Sequence, residues 1–118
     1  MSKFQVRNIT FNKDRVIVNV YTQYKNNSNF AQQLLVVKPN ILNHKCKSTK
    51  DLSETSLAHI FEHLVIDYQQ FGFGTTTSVA KNKYRVELTY KDDIECLEAI
   101  NKSRNLIEEL LDTSSSLQ

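Results

Sequence analysis

The sequence predicts an α+β domain in which a small, mostly antiparallel sheet packs against two helices, one bearing an H-x-x-E-H motif and one at the C-terminus. Three observations carry this. The run RVIVNV alternates, placing Val16, Val18 and Val20 on one face in a β-branched context. The stretch SLAHIFEHLVIDY is long, apolar and closed by Gly72, as a buried helix would be. The stretch DDIECLEAINKSRNLIEELL brings Ile94, Leu97, Ile100, Ile107 and Leu111 near one helical stripe. A chain of 118 residues suits one domain with one modest core.

The elements follow in order. KFQVRNI and RVIVNVYTQ flank a turn at TFNKD and read as a hairpin. SNFAQQLLVVKP is ambiguous, because QLLVV alone would pass for a strand. Phe30, Leu34 and Val37 recur at helical spacing, so a helix is expected, with Ser28 as its cap and its end near Pro39. NILNHKC then reads as an extended connection. DLSETSLAHIFEHLVIDYQQF is expected to be one helix, with Ser53 as N-cap and Glu54 in the first turn. GFGTTTS reads as a glycine-bearing loop leading into a strand, NKYRVELTYK. Asp92 and Asp93 stand at the positive end of the last helix. Residues 1–111 are thus expected to form a single domain, and 112–118 a flexible polar tail.

The totals exclude several classes. No apolar run approaches the roughly 18 residues of a membrane helix, and the N-terminus lacks the apolar stretch of a secretory signal. A cytoplasmic protein without membrane contact is expected. A net charge of +2 with mixed signs gives no nucleic-acid footprint. Cys46 and Cys96 are too few for a disulfide framework and are expected to be free thiols, or one of them a ligand.

His59, Glu62 and His63 interrupt the apolar run. His59 and His63 are spaced i and i+4, so they share a helix face, with Glu62 at its edge. H-x-x-E-H is a metallohydrolase signature. Two neutral imidazoles can hold zinc from successive turns, and the glutamate is placed to take a proton from a water at the metal. The competing reading is a hydrogen-bonded histidine pair in the core. Leu57, Ile60, Phe61, Leu64, Val65 and Ile66 cover most of the helix circumference, so the three polar residues need partners. Zinc also needs a third protein ligand, for which His44, Cys46, Glu87 and Cys96 are the candidates. Glu87 alternates with Val86 and Leu88 and suits an outer sheet face, and Cys96 falls near the apolar stripe of the last helix.

LAHIFEHLVIDYQ, then GFGTTT, then KYRVELTY resembles the N-terminal domain of cyanophycin synthetases, and FAQQLLVVKPNILNHKC resembles the segment before it. The likeness covers roughly residues 28–111, with Ala58 at a family glycine. The helix is similar to that of pitrilysin-type zinc peptidases. The family joins aspartate and arginine into a storage polymer with ATP, using ATP-grasp and Mur-ligase-like domains that do not occur in these 118 residues, so a synthetase is not expected. The resemblance implies a domain that holds the polymer and, in some members, hydrolyses it. It implies His59 and His63 as zinc ligands, Glu62 as base, and His44 and Cys46 as the partners of the family's H-x-C. His44 then ranks first as third ligand, Cys46 second and Glu87 third. Thr75 and Thr77 stand where the family has arginines that could grip a carboxylate-rich chain, so a peptide or isopeptide substrate is expected before cyanophycin itself. The alternatives are a non-catalytic polymer- or peptide-binding module of the same fold, and a domain whose metal is purely structural.

Overall fold

A computed structural model describes residues 3–41 and 48–116. In chain order the elements are β1 (Gln5–Phe11), β2 (Arg15–Tyr21), α1 (Ser28–Val37), α2 (Thr49–Glu54), α3 (Leu57–Gln69), β3 (Gly74–Ala80), β4 (Lys83–Thr89) and α4 (Asp93–Ser116). The four strands form one antiparallel sheet in the order β1-β2-β4-β3. The expected α+β class therefore holds, with a sheet larger by one strand than the sequence suggested.

The core lies between one face of the sheet and the helices. Val16, Val18 and Val20 of β2 and Val86 and Leu88 of β4 are buried on that face, as alternation requires. They share a cluster with Leu57, Ile60, Phe61, Leu64 and Val65 of α3 and with Ala99, Ile100 and Ile107 of α4. Helix α3 packs on β3, β4 and α4, while α4 also reaches β1 and α1. The opposite face of the sheet carries half-buried Ile17, Asn19 and Glu87 and exposed Arg85. Among the described residues no helix is long and apolar enough to cross a membrane.

Local chemistry moves several boundaries. The cap of α1 is Asn27, whose side chain accepts from the Phe30 amide at 2.9 Å; Ser28 is already helical. The expected long helix from residue 51 is two helices with a corner at Thr55. Ser53 does not cap it; its hydroxyl donates to the Lys50 carbonyl inside α2 at 2.8 Å. Ser56 caps α3 instead, accepting from the His59 amide at 3.1 Å, and Asn26 seals the corner by donating to the carbonyls of Leu52 and Thr55. Helix α3 ends at Gln70, in the left-handed region with φ 53°, and Gly72 follows with φ 85°.

The expected loop at GFGTTTS is largely strand. β3 begins at Gly74 and joins β4 in a hairpin whose turn is Lys81-Asn82, with Asn82 at φ 63°, a conformation asparagine tolerates better than most residues. β3 is an edge strand and mostly exposed, so it lacks the apolar alternation that reveals a half-buried strand. At the other end, α4 continues to Ser116, past the expected end at residue 111, and Asp112 pairs with Lys3 at 3.2 Å.

Candidate metal site

The corner between α2 and α3 aims the motif. Because Ser56 caps α3, His59 lies in the first turn and His63 one turn later on the same face. Their rings meet edge to face, with centroids 4.4 Å apart and planes at 70°. Their Nε2 atoms converge to 2.8 Å. The other nitrogen of His59, Nδ1, lies 2.6 Å from Thr55 Oγ1 at the helix corner. With the His59 proton on Nδ1 and donated to Thr55, Nε2 presents its lone pair and accepts the Nε2 proton of His63. A metal-ligating histidine commonly has its second nitrogen anchored in this way.

Glu62 points from α3 toward the edge of the sheet and is 3% exposed. Thr76, on the helix-facing side of β3, donates from Oγ1 to Glu62 Oε1 at 2.7 Å. Gly74 leaves room for the carboxylate stem beside the strand. Ligand atoms of His59, Glu62 and His63 all lie within 4.8 Å of one another, and this is the one group of three or more potential ligands among the described residues. Beside it, between α3 and β3, opens a pocket of about 490 Å³ lined by Thr55, His59, Glu62, Gly74, Thr76 and Tyr84, among others.

Two converging imidazole nitrogens are donors that a metal ion such as zinc accepts, and the carboxylate beside them stands where it can receive a proton from water there. The present Nε2 spacing is that of a hydrogen bond; two nitrogens on one tetrahedral zinc stand about 3.3 Å apart, so the half-buried rings need to part by roughly 0.5 Å. The residues therefore fit the metal with a small rotation of side chains that already converge.

Of the other candidates, His44 and Cys46 lie outside the described residues. Glu87 does not join the group. It is half-buried and alternates with Val86 and Leu88, which puts it on the face of the sheet away from α3. Cys96 is fully buried in the core face of α4, where burial pushes its thiol up to about 11. Thr75 and Thr77 stand opposite Glu87 and Arg85 in the strand register, on the open face; Thr75 still lines the rim of the pocket, whereas Thr76 turns its hydroxyl to the site. The sequence reading missed Thr55, Gly74 and Thr76. Thr55-Ser56 carried a signal, as a helix-breaking pair before an apolar run; for Thr76 there was none once its segment was read as loop.

A search of curated proteins found no match. The family model of the cyanophycin synthase-like N-terminal domain matches residues 13–112, which span β2 to α4 and include the whole triad. The chain therefore belongs to the cyanophycin synthase-like N-terminal domain family.

Proposed function

We propose that this domain holds zinc through His59 and His63 and hydrolyses peptide or isopeptide bonds, with Glu62 as the general base. The observation that supports this is the convergence of three ligand-type atoms within 4.8 Å beside an open pocket of about 490 Å³. Bound zinc supplies Lewis acidity, making a water nucleophilic near neutral pH and polarising the scissile carbonyl. The chain's own residues do the rest. Glu62 accepts the proton of the attacking water and returns it to the leaving amine. Thr76 fixes one oxygen of that carboxylate, so it keeps one orientation toward the pocket. Thr55 anchors the His59 ring from behind. His44 is the first choice of third protein ligand, Cys46 the second and Glu87, on the far face of the sheet, the last.

A second reading, a binding module without catalysis, draws support from the same contacts. Thr55–His59–His63 and Thr76–Glu62 satisfy one another with protein partners alone, so the cluster need not contain a metal to be buried at acceptable cost.

The test is metal content, stability and turnover on one preparation. Protein purified without chelator is expected to carry about one zinc per chain and to melt higher as zinc is added, since a ligand of the native state at 100 times its Kd adds about 2.7 kcal/mol. Zinc-loaded protein is expected to cleave members of a panel of short peptides and isopeptides containing aspartate or arginine. Metal-free protein with an unchanged melting temperature contradicts the site, and zinc-loaded protein inert on the whole panel contradicts the hydrolase and favours a binding or structural role.

A further inference from the structure

At the edge of the sheet opposite β3, strand β1 and helix α4 enclose a second pocket of about 400 Å³. Phe4 and Val6 give it apolar wall, while Arg7, Arg104 and Glu108 line it with charge. Oε1 of Glu108 is buried and has no hydrogen-bond partner, the one such side-chain atom among the described residues. An orphaned carboxylate oxygen in a native fold calls for an explanation.

The obvious partners do not supply one. Arg104 lies one helical turn before Glu108, the spacing at which opposite charges usually meet, yet it contacts the Asn105 side chain at 3.5 Å and forms no ion pair with Glu108. Arg7 is held elsewhere. Its guanidinium lies 4.1 Å over the Tyr21 ring, and its Nε donates to Gln5 Oε1 at 3.2 Å. The register shift between Val6 and Asn8 interrupts β1 at this residue. The pocket therefore presents a carboxylate with one desolvated oxygen beside the Arg104 guanidinium, which does not neutralise it, while Arg7 stands at its rim with its guanidinium turned onto Tyr21.

We propose that this pocket binds a small zwitterion of the amino-acid class, whose cationic group donates to Glu108 Oε1 and whose carboxylate is taken by Arg104. Guanidinium groups suit a carboxylate because they offer paired N–H donors. Val6, backed by the buried Phe4 ring, covers the aliphatic segment between the two charges. The pocket lies across the sheet from the histidine site, so it is separate from the proposed hydrolytic centre and does not depend on it.

The probes are ω-amino acids of increasing chain length, from glycine to aminohexanoate, titrated into the isotope-labelled full chain and followed by amide NMR. Butylamine and butyrate serve as single-charge controls. Saturable shifts are expected at residues 5–7 and 104–108, strongest at one chain length, because the separation of the Glu108 and Arg104 charges acts as a ruler. Glu108→Gln and Arg104→Gln are each expected to weaken binding about tenfold or more, and His59→Ala to leave it unchanged. If Glu108→Gln fails to fold, Arg104→Gln carries the test alone. The proposal is overturned by the absence of a saturable shift with any member of the series, by butylamine or butyrate binding as well as the best zwitterion, or by unchanged affinity in the variants that fold.

Discussion

Gly74 stands bare against Leu88 and the stem of Glu62: a Cβ at position 74 would lie 2.6 Å from Leu88 Cδ2, 2.8 Å from the Glu87 carbonyl oxygen and 3.1 Å from Glu62 Cγ. Helix α3 can bring its carboxylate to the strand because this position is bare. At an unhindered site, glycine to alanine would stabilise by restricting the unfolded chain. Here the sign reverses. Gly74→Ala is expected to cost about 1–3 kcal/mol through overpacking and to displace Glu62, read as a lower urea midpoint. A midpoint equal to or above wild type contradicts the packing described.

Thr76→Val keeps the β-branched shape and removes the hydroxyl that donates to the buried carboxylate. Losing a hydrogen bond to a charged group costs about 1.5–3 kcal/mol. Stability is expected to fall by that order at neutral pH. A urea midpoint equal to that of the wild type would show that this hydrogen bond contributes nothing to stability.

Cys96 tests the core beneath α4. Burial raises its thiol from 9.0 to about 11, so the folded state holds the proton more tightly than the unfolded chain. Its contribution to stability is therefore fully present below pH 9 and is lost as pH rises toward about 11. The full shift corresponds to about 3 kcal/mol. In a Cys46→Ser background, which leaves this thiol as the sole reporter, alkylation at pH 8 is expected only after denaturant is added. Rapid labelling of native protein contradicts the burial.

The sequence made some elements legible and hid others for identifiable reasons. The β1–β2 hairpin was readable because Val16, Val18 and Val20 alternate cleanly. The motif helix was readable because its apolar residues surround it and its polar ones fall on one face. The corner at Thr55 was hidden because Ser53 and Ser56 are equally good caps in isolation; the Asn26 side chain, from a distant loop, decides between them. β3 was hidden because three threonines on an exposed edge carry β-propensity without periodicity. The convergence of His59 and His63 followed from their spacing alone, whereas Thr76 became visible only once β3 was paired with β4. Glu87 was weighed against its own alternation, and the alternation prevailed.

The ranking of the third ligand has a spectroscopic readout. In cobalt-substituted protein, a thiolate ligand adds a near-ultraviolet charge-transfer band that histidine does not. With His44 as the ligand, that band is expected to be absent, and His44→Ala is expected to weaken metal binding far more than Cys46→Ala. A thiolate band lost in Cys46→Ala would reverse the order.

The central claim is that Glu62 is a base beside a metal held by His59 and His63, and Glu62→Gln examines it most directly. Glutamine keeps the shape and can still accept from Thr76 through its carbonyl, but it cannot take a proton from water. On a peptide or isopeptide that the wild type cleaves, the decisive measurement is kcat of zinc-loaded Glu62→Gln. The account predicts a fall of ~10²-fold or more with zinc content and melting temperature retained, whereas undiminished turnover would contradict it.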